Sequence, residues 1–219
     1  MEIGGLNTFS LSDFPGKVAA VVFTQGCNFR CPYCHNASLI PYHYRVPDEL
    51  LIPEEHFFEF LAYRSNRLDA VVVSGGEPTI HQDLPAFLRR IKDMGFAVKL
   101  DTNGSEPEVL KEILENDLVD YIAMDIKAPL DKYKQVTKAL SLTAKDKVKE
   151  SIELISGSGV DHEFRTTVVE ALLTPEDMKA IRKLVPAGST YRLQKFCPEH
   201  AFNPALRTKT NMYLGDPLL

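Results

Sequence analysis

The chain has no tryptophan, no excess of positive charge, and no apolar run long enough to span a membrane. The first of these excludes nothing about function. A formal net charge of −5 leaves no broad basic field of the kind that holds a nucleic-acid backbone, so neither nucleic acid nor membrane is an expected partner. Residues 1–14 lack the charged-then-apolar pattern of a secretory signal. The dinucleotide fingerprint G-x-G-x-x-G is missing, as are internal repeats, low-complexity tracts and linkers. Cysteine is scarce, with four in 219 residues, yet three fall within the eight positions Cys27 to Cys34. Bridges inside so short a loop would be strained and would leave odd thiols. That excludes a disulfide framework and makes a reducing, cytoplasmic compartment the expected one.

What remains is ordinary for a soluble globular chain: 44% hydrophobic and 25% charged residues. The length suits one domain with a substantial core. A single domain over 1–219 is expected, with its core at about 18–196 and an irregular tail at 197–219.

Residues 4–17 read as a short edge strand or arm ending in the Pro15-Gly16 turn. Strands are expected at Val18–Phe23, Ala70–Val73, Ala97–Leu100, Tyr121–Met124, His162–Val169 and Tyr191–Phe196. Between them lie helical patterns: Phe57, Phe58, Leu61 and Leu68 after Pro53; Leu84 to Ile91, closed by Gly95; Val109 to Leu114; and residues 144–155. Thr174 followed by Pro175 announces a helix running to Leu184. Residues 36–52, with Tyr42, His43 and Tyr44, read as an irregular segment, either functional or packed by its own rings. Strands alternating with helices imply βαβ units and a parallel sheet. An eightfold barrel typically needs about 250 residues, so a partial (βα)6 barrel fits better, with a flat doubly wound sheet as the alternative.

The polar clusters fall just after strands, where α/β folds gather ligands. Cys27, Cys31 and Cys34, spaced C-x3-C-x2-C, form a soft donor set that selects zinc or iron–sulfur, and zinc would need His35 or Cys197 as a fourth ligand. Gly75-Gly76-Glu77 is either a tight turn or a place where backbone approaches a ligand, with an acceptor ready for an ammonium. Asp101-Thr102-Asn103-Gly104 taken alone is a turn. Asp125 alone is a helix-flanking acid, and Lys127 a solvated charge. Arg165 sits in an apolar strand and needs a partner from Glu77, Asp101 or Asp125, unless it contacts a ligand. Gln194 and Lys195 end the last strand and are weaker candidates for the same pocket.

Cys-x3-Cys-x-aromatic-Cys after the first core strand resembles the signature of radical S-adenosylmethionine (SAM) enzymes. The resemblance implies that Cys27, Cys31 and Cys34 hold a [4Fe–4S] cluster and that SAM binds its fourth iron, with Tyr33 near the adenine. It implies that Gly75, Gly76 and Glu77 bind the SAM amino group. Asp-Thr-Asn-Gly at one strand end and Asp-x-Lys at the next resemble the activating enzymes of glycyl-radical enzymes. Carried over, Asp101, Thr102 and Asp125 form a monovalent-cation site beside the SAM carboxylate, and Lys127 and Arg165 belong to the SAM site. The runs Asp13-Phe14-Pro15-Gly16, Phe23 to Cys31, Tyr121 to Pro129 and Phe164 to Val169 are similar to anaerobic ribonucleoside-triphosphate reductase activating proteins. The activity so implied is reductive cleavage of SAM to a 5′-deoxyadenosyl radical, which installs a glycyl radical on that reductase. The electron donor would be a flavodoxin or ferredoxin. Two other readings stay open: a radical SAM enzyme acting on a small molecule, of the 7-carboxy-7-deazaguanine synthase type, and a zinc-stabilised binding protein using His35.

Overall fold

A computed structural model describes residues 1–41 and 46–208. Tyr42, His43 and Tyr44, and the tail beyond residue 208, lie outside the described residues. Among the described residues seven strands form one sheet: β1 (Ile3–Ser10), β2 (Ala19–Thr24), β3 (Ala70–Gly75), β4 (Ala97–Thr102), β5 (Tyr121–Asp125), β6 (Asp161–Val168) and β7 (Thr190–Lys195). The helices are α1 (Glu54–Arg64), α2 (Leu84–Asp93), α3 (Pro107–Glu115), α4 (Tyr133–Thr137), α5 (Ala144–Gly157) and α6 (Pro175–Leu184).

Strand order follows chain order, β1 through β7. The six strands from β2 onward pair in parallel, and β1 adds antiparallel to β2. A doubly wound sheet must reverse its order at a switch point. This one never does, so the architecture is the partial (βα)6 barrel with an antiparallel edge strand. Its helix-facing side is apolar: Val71, Val73, Leu100, Ile122, Met124 and Phe164 pack with α1, α2, α3 and α5 in one core. Strand β3 shows why a continuous apolar run was required. Ala70, Val71, Val72 and Val73 are all fully buried, and alternate ones face opposite sides. On the concave side a smaller cluster, Phe14 with Ala19, Val21, Ala70 and Val72, closes the space under the site.

Several elements differ in detail from the sequence reading. The arm is an eight-residue strand. Helix α1 stops at Arg64, and Leu68 reaches the core from the turn that follows, through hydrogen bonds of Arg67 and Leu68 to the Arg64 carbonyl. Helix α4 is too short to show an apolar period, and it ends where Lys138 adopts φ 51°. Helix α6 starts as expected, with a reciprocal capping box: Asp177 N–H donates to Thr174 Oγ1 (3.2 Å) and Thr174 N–H to Asp177 Oδ2 (2.9 Å). The tail contains two short 3-10 turns, Pro198–His200 and Pro204–Leu206. No helix among the described residues is long and apolar enough to cross a membrane.

Candidate active site

Strand β2 hands the chain to Gln25 and Gly26, and the cysteine loop follows. Contacts from three distant segments hold that loop. Arg30 N–H donates to the Thr137 carbonyl at the end of α4 (2.9 Å). The Asn28 amide donates to Ser105 Oγ (2.7 Å) and accepts from Asn103 (3.0 Å), both just beyond β4. From the tail, Phe202 N–H donates to the Cys34 carbonyl (2.9 Å) and Asn203 N–H to the Pro32 carbonyl (2.8 Å). Cys27 and Cys31 are buried and Cys34 is partly exposed. All three line a cavity of about 300 Å³ at the carboxyl ends of the strands.

The same cavity is lined by every residue assigned to the site from sequence: Tyr33, Gly75, Gly76, Glu77, Asp101, Thr102, Asp125, Lys127 and Arg165 join the cysteines there. Gln194 lines it too. Lys195 is not part of the lining, and Cys197 is an exposed thiol away from it.

Gly75 has φ 126°, and a Cβ there would meet the Thr24 backbone at 2.2 Å. At Gly76 a Cβ would lie 1.9 Å from the Gly26 carbonyl oxygen. Only glycines let the ends of β2 and β3 approach this closely, sealed by Gly76 N–H to Thr24 O (3.0 Å) and Glu77 N–H to Gly26 O (2.9 Å). The Glu77 side chain points into the protein and is 1% exposed. Its Oε1 accepts from Thr79 N–H (3.1 Å), Thr79 Oγ1 (2.6 Å) and Thr102 Oγ1 (2.7 Å), and its Oε2 from Asn103 N–H (2.6 Å). Burial pushes this carboxyl up, against those hydrogen bonds. The carboxylate thus cross-links the ends of β3 and β4.

Deeper in the cavity, Arg165 bridges the two aspartates, with Nε 2.8 Å from Asp125 Oδ1 and a terminal nitrogen 3.3 Å from Asp101 Oδ2. Glu77, the third partner considered from sequence, is not engaged by it. Lys127 Nζ lies 3.1 Å from Asp125 Oδ2. Burial alone would raise the Asp125 carboxyl, but Arg165 and Lys127 outweigh it and bring it down to about 2. Burial likewise opposes the charge of Lys127, and Asp125, Tyr33 and Cys31 overcome it, holding the ammonium well above its ordinary value. A fixed positive charge therefore stands beside the thiols.

The donor set suits an iron–sulfur cluster. Burial pushes the thiols of Cys27 to about 12 and Cys31 to about 11, so both are neutral at pH 7 until a metal displaces their protons. Phe29 N–H already donates to Cys27 Sγ (3.4 Å), a contact of the kind that tunes cluster sulfurs. The zinc arrangement is not formed. His35 stacks on Phe196 (centroids 5.6 Å, 14° between planes), and its Nε2 accepts from Cys197 N–H (3.2 Å). Among the described residues no three Cys, His, Asp or Glu side chains gather closely enough for a single ion.

Residues to which the sequence reading gave no role of their own in the site also line the cavity, among them Asp13, Ser74 and Thr167. Beneath them lies Lys99, a buried lysine whose ammonium donates to the main-chain oxygen of Asp13 and faces Asp101. A lone charge in the apolar strand Ala97-Val98-Lys99-Leu100 was a signal of the same kind that singled out Arg165.

Comparison with known proteins agrees with this geometry. The radical SAM superfamily model matches residues 21–185. A Methanocaldococcus jannaschii protein, provisionally named a glycyl-radical enzyme activating enzyme, is 39% identical over 206 residues, covering 92% of this chain and 82% of its own. The 7-carboxy-7-deazaguanine synthase of Halobacterium salinarum is 33% identical over only 92 residues, 41% of this chain and 33% of its own. Among solved structures, QueE from Escherichia coli shares the fold, with a TM-score of 0.52 and 16% identity over 89% of this chain and 83% of that one. The chain belongs to the radical SAM superfamily and, within it, to the glycyl-radical enzyme activating enzymes.

Proposed function

We propose that the protein activates an anaerobic ribonucleoside-triphosphate reductase by installing a glycyl radical on it, with reducing power from a flavodoxin or ferredoxin. The observation that carries this reading is the convergence, in one cavity, of the cysteine loop, the Gly75-Gly76 turn and the Asp101–Arg165–Asp125–Lys127 array. When bound, the [4Fe–4S] cluster supplies the electron that cleaves SAM to methionine and a 5′-deoxyadenosyl radical. The chain's own residues bind and orient. Cys27, Cys31 and Cys34 hold the cluster. The Gly75-Gly76 backbone receives the SAM amino group, and Tyr33 packs near the adenine. Arg165 and Lys127 face the carboxylate end of SAM. The cavity walls exclude water and other hydrogen donors while the radical is present. The substrate then reaches the site as a glycine-bearing loop of a second protein.

The test is anaerobic incubation of the reconstituted protein with SAM, a reductant and the reductase, followed by electron paramagnetic resonance. A protein-based glycyl radical that is lost in Cys31→Ala supports the reading. SAM cleavage that leaves the reductase unmodified but turns over a small molecule would refute it and leave the family assignment standing.

A further inference from the structure

We infer that Lys99 is a positioning residue that supplies, from within the fold, the counter-charge which the family resemblance assigns to a bound monovalent cation. The inference rests on the cavity being a SAM site. Strand β4 directs Lys99 and Asp101 to the same concave face, because side chains two apart share a side. The Lys99 side chain is 5% exposed, and a buried ammonium persists only when it is paired. Its Nζ donates to the Asp13 main-chain oxygen and lies 3.4 Å from Asp101 Oδ1. That oxygen is buried and has no hydrogen-bond partner among the described residues, so the ammonium is the compensating charge that it faces.

The other oxygens of the aspartate pair, unlike Asp101 Oδ1, do have hydrogen-bond partners. Asp101 Oδ2 takes Ser74 Oγ (3.2 Å) and Arg165 (3.3 Å). Asp125 Oδ1 takes Arg165 Nε, and Oδ2 takes Lys127. Thr102 Oγ1, the third expected ligand, donates to Glu77 and accepts from Gly104 N–H (3.1 Å). A metal ion coordinated by these atoms would displace protein donors that already neutralise them. Lys99 also ties β4 to the segment before β2 through the Asp13 carbonyl, so one ammonium fixes the Asp101 carboxylate and a wall of the cavity together.

The test measures the dissociation constant for SAM by equilibrium dialysis, using the anaerobically reconstituted protein in KCl, NaCl and choline chloride at matched ionic strength. Wild type is expected to bind within about twofold in all three salts. Lys99→Met is expected to bind at least tenfold more weakly in choline and to recover in K⁺ or Na⁺, which can enter the vacated space. Lys99→Arg, which keeps the charge, stays close to wild type. A wild type that binds tenfold more weakly in choline overturns the inference. So does a Lys99→Met protein that matches wild type in every salt, or one whose loss neither ion recovers. A second readout needs neither cluster nor SAM. In the apo protein Lys99→Met should melt several degrees lower, and adding Asp101→Asn should restore most of the loss, because the orphaned charge is gone. A double variant no more stable than Lys99→Met overturns the pairing. Failure of wild type to bind SAM in any salt would instead refute the SAM reading, with the Lys99–Asp101 pair still decided by melting.

Discussion

Replacing Gly76 by alanine tests whether the junction of β2 and β3 positions the cysteine loop. The added Cβ would sit 1.9 Å from the Gly26 carbonyl oxygen and 2.9 Å from the Leu39 carbonyl oxygen, both backbone atoms with no rotamer to yield. Restoring an ordinary contact requires a displacement of about 1 Å. The Glu77 N–H to Gly26 O and Gly76 N–H to Thr24 O bonds, at 2.9 and 3.0 Å, would then be stretched beyond useful length. Two buried backbone bonds left unmade cost roughly 2–4 kcal/mol. For a chain of this size that lowers the melting temperature by roughly 5–15 °C. Cys27 follows Gly26 directly, so the same shift moves a proposed cluster ligand relative to the turn proposed to bind SAM. A misplacement of about 1 Å is expected to slow SAM cleavage on the order of a hundredfold. Calorimetry of the apo protein and 5′-deoxyadenosine assay of the reconstituted protein read the two effects separately. Gly157→Ala is the control, since nothing lies within 4 Å of a Cβ at that helix end, and it should be neutral or slightly stabilising. A Gly76→Ala protein that melts and cleaves SAM like wild type would refute the reasoning.

The remaining expectations concern charge, a buried acceptor and a helix cap. Asp125 is depressed from 3.8 to about 2 in the folded state, so its contribution is present above the unfolded value and is lost as pH falls from 3.8 toward 2. Urea titrations of the apo protein should show roughly 2 kcal/mol of stability disappearing across that window, and Asp125→Asn should flatten this part of the profile. Glu77→Gln turns an acceptor with four donors into a group whose amide opposes one of them. It should cost on the order of 2–3 kcal/mol in denaturant melts, and unchanged stability would contradict the cross-link drawn between β3 and β4. Thr174→Ala removes half of the α6 capping box and should cost about 1 kcal/mol. SAM cleavage should not change, because the cap lies outside the cavity.

The parts of this molecule that the sequence announced are those set by local pattern. A buried strand must read Ala-Val-Val-Val, a helix start must carry Thr and Pro, and three thiols on one loop must be closely spaced. The open barrel followed from six such strands in succession. What stayed hidden depends on partners far apart in the chain. Lys99 stood out as a lone charge in an apolar strand, but its acceptor, the Asp13 carbonyl, is 86 residues away and no local pattern points to it. Glu77 was expected to face an ammonium, but its oxygens are taken by Thr79, Thr102 and Asn103, two of them one strand later. Helix α4 and the tail carry no apolar period, yet they supply the hydrogen bonds that fix Arg30, Pro32 and Cys34.

Arg165 shows why a structural and a ligand-binding reading of one residue need not compete. From sequence, either a salt bridge or a SAM contact explained a lone arginine in an apolar strand. In the fold its Nε and one terminal nitrogen bridge Asp125 and Asp101, while the side chain still lines the cavity at 12% exposure. Two carboxylates on neighbouring strands repel each other unless a cation stands between them, and a planar guanidinium can satisfy both and still present further N–H groups. Lysine there could neutralise charge but could not span the pair. The ion pair is therefore what orients the guanidinium within the cavity: the sheet register that sets Asp125 opposite Arg165 holds it there, as the proposed contact with a ligand carboxylate requires.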